Sequence, residues 1–127
     1  MPDRVGYERQ ARHGEHVVRE GDSGSEMFVI QRGEVEIRKK AAGGDVVLAT
    51  LGRGEFFGEM SLLESLPRDA DAVVVSDEAS LLVIGQGALL VRLRRDPTFA
   101  LELLHALSRR VRRLTADLIE RMGELPP

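Results

Sequence analysis

The sequence predicts a mainly-β fold: an antiparallel, jelly-roll-like β-roll (a double-stranded β-helix) followed by a short helix and a long C-terminal helix. Three observations predict it. Thirteen glycines against only five prolines point to many tight turns. Short apolar segments return at even spacing between His16 and Ile84, with no long helical pattern between them. From Thr98 to Met122 the character changes to a helical run without interior glycine or proline.

His16 to Arg19 leads into the turn Glu20-Gly21-Asp22-Ser23-Gly24. Met27 to Gln31 is apolar and β-prone until Arg32-Gly33 breaks it. Glu34 to Lys39 alternates charged and aliphatic residues, the period of a strand with one buried face. Ala42-Gly43-Gly44-Asp45 is a turn, and Val46 to Leu51 answers as the partner strand. Gly52-Arg53-Gly54-Glu55 turns again, and Ala72 to Val75 and Ser80 to Ile84 supply two further strands around Ser76-Asp77-Glu78. The roll therefore covers about residues 13–85, and the helices cover 86–125. Gln86 to Arg95 reads as a short helix stopped by Asp96-Pro97. Thr98 is the expected cap of the long helix, which Gly123 and Pro126-Pro127 end.

At 127 residues the expectation is a single domain, 1–127, large enough for one buried core. Hydrophobic residues at 43% and charged residues at 31% are a globular balance, not a disordered one. No apolar run approaches the ~20 residues that span a bilayer. Met1-Pro2-Asp3-Arg4 lacks the layout of a secretory signal, and the absence of cysteine excludes disulfides and thiolate metal sites. A cytoplasmic protein with no membrane partner is expected. The formal net charge of −3 argues against the chain as a whole binding nucleic acid.

The chemistry concentrates between Phe56 and Asp69. Phe57-Gly58-Glu59-Met60-Ser61 opens a short helical run, and Pro67-Arg68 follows soon after. Amide groups at a helix start, with the positive end of its dipole, attract an anion. A guanidinium fork grips phosphate oxygens, and a carboxylate can only accept, which suits a sugar hydroxyl. Together these fit a ligand carrying a sugar diol and a compact anion.

The run resembles the phosphate-binding cassette of the cyclic nucleotide-binding domain family, which includes the bacterial catabolite activator protein, kinase regulatory subunits and cyclic-nucleotide-gated channels. Gly21-Asp22, Phe28-Val29-Ile30, Gly33 and Leu51-Gly52 before Gly54-Glu55 also sit where that family has them. The resemblance implies a site for cAMP or cGMP, with no other cofactor, at Phe57, Gly58, Glu59, Met60, Ser61, Arg68, Asp69 and Ala70. Glu59 would hold the ribose 2′-hydroxyl, Ser61 the cyclic phosphate through its amide, and Arg68 the same phosphate through its guanidinium. Arg110, Arg113 or Thr115 of the long helix would reach the base.

The match ends after Arg68. Where the family commonly continues Arg-Ala-Ala-Thr-Val, this chain has Arg68-Asp69-Ala70-Asp71-Ala72. A carboxylate within ~5 Å of the phosphate costs about 1–3 kcal/mol at intermediate dielectric, roughly ten- to a hundredfold in affinity. Three arrangements of Asp69 are open. It points away; it pairs with Arg68 and competes with ligand; or it accepts from N1 and the amino group of a guanine, favouring cGMP. The second would leave a degenerate cassette.

Metal and catalysis are not expected. His13 and His16 are separated by Gly14 in strand context, His105 lies within a helix, and no nucleophile–base pair or carboxylate dyad is evident. Leu104, Leu107, Val111, Leu114 and Leu118 fall on alternating spacings of three and four and Leu125 seven further on, with Arg121 interrupting the later seam; the stripe is a coiled-coil seam that predicts a homodimer through the long helix. Arg109, Arg110, Arg112 and Arg113 give at most nonspecific, salt-sensitive nucleic-acid affinity. The expected function is a regulatory sensor of cyclic nucleotide that transmits occupancy through its C-terminal helix. Two alternatives remain: a protein-interaction module whose ligand site has decayed, and the sensory domain of a transcription regulator lacking its helix-turn-helix.

Overall fold

The computed structural model describes residues 6–124. Its strands are β1 (Tyr7–Arg12), β2 (His16–Val18), β3 (Met27–Arg32), β4 (Val35–Ala41), β5 (Gly44–Leu51), β6 (Phe56–Phe57), β7 (Asp71–Val74) and β8 (Glu78–Ile84). Between β6 and β7 lies α1 (Glu59–Glu64), and after β8 come α2 (Gln86–Arg95) and α3 (Pro97–Gly123). The strands form two four-stranded sheets, β1-β8-β3-β6 and β2-β7-β4-β5, with every ladder antiparallel. This is the expected roll.

Alternation along each strand builds the core. Ala79, Leu81 and Val83 of β8 and Phe28 and Ile30 of β3 point inward from one sheet; Val35, Ala72 and Val74 point inward from the other. The Glu34–Lys39 alternation becomes β4, paired with β5 from Val35↔Leu51 to Ala41↔Gly44. β5 is an edge strand, and most of its length is exposed.

Two boundaries differ from the sequence expectation. The roll begins at Tyr7, ahead of residue 13, because β1 pairs along its whole length with β8 (Tyr7↔Val83 to Arg12↔Glu78). Only Ala11 of β1 is buried, so the strand is held by ladder hydrogen bonds and shows no apolar signature of its own. Asp96, not Thr98, caps α3: its side chain accepts from the Thr98 amide at 3.1 Å, with Pro97 in the first turn. The helix α1 has Gly58 at its N-terminal cap position, which places Ser61 within its first turn.

Two compact units meet between Val91 and Arg92. In the second, α3 has no buried residue: Leu104, Val111, Leu114 and Leu118 of the predicted seam are each more than half exposed. Leu125, the last seam position, lies outside the described residues, as do Pro126 and Pro127.

Candidate functional site

The site is assembled around Arg68. The short pairing of β6 on β3 sets Phe57 opposite Phe28, with the two rings stacked at 5.0 Å and 16°. The guanidinium of Arg68 lies over the Phe28 ring, 5.6 Å from its centroid. After Phe57 the chain must turn sharply into α1, and Gly58 does so with φ +86°. A Cβ there would stand 2.9 Å from both Arg68 Nη1 and the Glu26 carbonyl oxygen, so the position is closed to a side chain on two counts.

Arg68 is buried to 7% exposure. Its Nη1 donates to the carbonyls of Glu26 (2.8 Å) and Gly58 (3.2 Å). Its backbone is clamped as well: its amide donates to the Asp22 carbonyl (2.9 Å), and its carbonyl accepts from the Gly21 amide (2.7 Å). Burial lowers the guanidinium's pKa, opposed by the nearby Glu26 and Glu59 carboxylates, and Arg68 remains charged.

The other edge of the fork, Nε and Nη2, has no hydrogen-bond partner among the described residues. That edge faces Gly24: a Cβ built on Gly24 would collide with Nε and Nη2 and lie 2.6 Å from Cζ. A cavity of about 180 Å3 borders Arg68 and is lined by Val17, Arg19, Asp22, Ser23, Gly24 and Glu26 among others. One edge of the guanidinium is thus fixed to the protein, while the bidentate edge is left to an incoming acceptor.

The cassette residues fall as follows. Gly58 and Glu59 stand close to Arg68, the first by hydrogen bond and the second through its charge. Helix geometry leaves the amides of Glu59, Met60 and Ser61 without intrahelical acceptors. Ser61 and Ala70 are buried, Phe57 belongs to the core, and Met60 is largely exposed. Asp69 is exposed and forms no ion pair with Arg68, which removes the competing-pair arrangement in this conformation. Its carbonyl accepts from Lys39 Nζ at 2.6 Å. Arg110, Arg113 and Thr115 lie on α3, in the second unit, and the Thr115 hydroxyl donates to the Val111 carbonyl of its own helix (2.8 Å).

Asp71 has work of its own. It is buried to 6% exposure, and its Oδ1 accepts from the Glu20 amide at 2.6 Å. The departure from Thr at this position therefore anchors the 20–26 loop that supplies Arg68 with the Asp22 and Glu26 carbonyls. The residues missed in the sequence are those acting through backbone or shape: Gly24, the carbonyl of Glu26, and Phe28 as a platform. Gly21-Asp22 and Phe28 stood out in the resemblance, yet a carbonyl acceptor leaves no mark in a sequence. Among the described residues no three His, Asp or Glu side chains gather as a metal site, and no helix is long and apolar enough to cross a membrane.

This fold and cassette define a class of ligand-sensing β-roll. Residues 8–96 match the cyclic nucleotide-binding domain, and the chain belongs to that family. It is 38% identical over 106 residues to the cyclic AMP receptor protein of Thermus thermophilus, covering 83% of this chain and 49% of that protein. It is 42% identical over 78 residues to the cAMP-dependent protein kinase regulatory subunit of Mycosarcoma maydis, covering 60% of this chain and 15% of that one. A cyclic nucleotide-binding domain from Methylobacillus flagellatus superposes with a TM-score of 0.81 at 26% identity, covering 97% of this chain and 70% of that one. The chain spans about half the length, or less, of these curated relatives.

Proposed function

We propose that the chain binds cAMP or cGMP at Arg68 and works as a regulatory sensor, not an enzyme, in the cytoplasm. Arg68 and the start of α1 hold the cyclic phosphate, and Glu59 holds the ribose. Phe57, Gly58, Met60, Ser61, Asp69 and Ala70 complete the site. The apolar stripe of α3 pairs with a second copy, and occupancy shifts the helix by binding its two positions with unequal affinity.

One observation carries this reading. A buried arginine has one nitrogen tied to two carbonyls while its bidentate edge stays unpaired among the described residues. A solvated surface arginine would not be so placed. Calorimetry with cAMP and with cGMP, on wild type and on Arg68→Ala, tests it. The substitution should cost about 2–5 kcal/mol of binding. Wild type that takes up neither nucleotide at millimolar concentration would sink the sensing role. The acid at Asp69, where the family commonly has a neutral residue, favours a second reading, a decayed site on a protein-interaction module, and that outcome would support it.

A further inference from the structure

Lys39 lies near the end of β4, one residue beyond the Arg38↔Asp71 pair that joins β4 to β7. From there its ammonium crosses to the turn that leaves Arg68 and donates to the Asp69 carbonyl at 2.6 Å. The neighbouring charges are otherwise engaged: Arg38 pairs with Glu36 at 2.6 Å, and the Glu20 carboxylate accepts from the Lys40 amide at 3.0 Å. Among the described residues Lys39 has no carboxylate partner of its own. Its ammonium is therefore held on the backbone of the residue that follows Arg68, whose carboxylate forms no ion pair with the guanidinium.

We propose that Lys39 is a positioning residue of the anion site: its ammonium, held on the Asp69 backbone, offsets the Asp69 carboxylate and keeps it off the open edge of Arg68. The proposal rests on the nucleotide reading above. It also explains how an acid is tolerated where the family commonly has alanine or serine. With Lys39 present, the positions 39, 68 and 69 together carry one net positive charge, the same as an arginine followed by a neutral residue. Without Lys39, the carboxylate is one residue away from an unpaired guanidinium edge, and the attraction between them competes with ligand.

The test uses four proteins: wild type, Lys39→Met, Asp69→Asn and the double variant. Each is titrated with cAMP and cGMP at low and at physiological salt. Lys39→Met should raise Kd about tenfold in the wild-type background and less than about threefold in the Asp69→Asn background, with the difference shrinking as salt rises. An equal loss in both backgrounds would overturn the proposal, since Lys39 would then be an independent anion contact; so would no loss at all.

A second readout needs no ligand. In 15N NMR spectra of the unliganded proteins, the Arg68 Nε–H resonance should move in Lys39→Met and return in the double variant. An unmoved resonance in Lys39→Met overturns the proposal. If no protein binds either nucleotide, the sensing role fails, and the Arg68 resonance still decides what Lys39 does.

Discussion

Gly24→Ala separates the proposed anion site from the fold. Gly24 is not among the residues with positive φ, so alanine is allowed by the backbone, and loss of glycine's freedom in the unfolded chain stabilises by about 0.4–1 kcal/mol. The new methyl, however, would stand 2.6 Å from Arg68 Cζ and closer still to Nε and Nη2. Backbone hydrogen bonds hold Arg68 on both sides, so the guanidinium is the part that yields. Moving it gives up the bonds to Glu26 and Gly58 and turns the open edge away from the cavity. The fold keeps its core, since Gly24 lies outside it. Binding loses a charge-assisted bidentate contact of about 2–5 kcal/mol, or roughly 30- to 4,000-fold in Kd. Calorimetry with cAMP and cGMP, together with thermal unfolding of the unliganded protein, reads both quantities. Gly43→Ala is the control, because nothing lies within 4 Å of a Cβ there. If Gly24→Ala binds nucleotide as tightly as wild type, the geometry assigned to Arg68 is wrong. If it unfolds, the assumed separation of site from fold is wrong.

Asp71→Ala should cost about 1–3 kcal/mol in denaturant unfolding by orphaning the Glu20 amide, whereas Asp71→Asn, which can still accept, should cost less; equal losses would deny the hydrogen bond its role. Glu15 is held below the usual carboxylate range, chiefly by its hydrogen bond from Arg9 at 2.9 Å. Because its folded pKa is depressed, its contribution is present above the unfolded pKa and lost as pH falls through the folded one. Both groups are about a third exposed, so Glu15→Gln should flatten the acid limb of stability by under ~1 kcal/mol; a larger change would mean more than this pair is involved. Val111 is 62% exposed on α3. Sedimentation should give a dimer for wild type and a monomer for Val111→Asp, and a monomeric wild type would remove the helix seam from the proposal.

The sequence by itself determined the order of the fold and the identity of the cassette. The β4–β5 hairpin was legible because Glu34 to Lys39 alternates and Gly43-Gly44 turns it, both local signals. The helical end was legible because 25 residues from Thr98 to Met122 contain no breaker. Arg68 stood out beside Phe57-Gly58-Glu59. β1 was not legible, since a strand held by its neighbour's hydrogen bonds can be polar almost throughout. Tertiary structure alone decided which edge of Arg68 is bound and which is open, because the Glu26 carbonyl and the space at Gly24 come from a segment distant in the chain. It also divided the two departures from the family pattern. Asp71 turned inward to a backbone amide, and Asp69 turned outward beside Lys39. Two identical side chains two residues apart took opposite roles because residue 71 lies in a buried strand and residue 69 in an exposed turn.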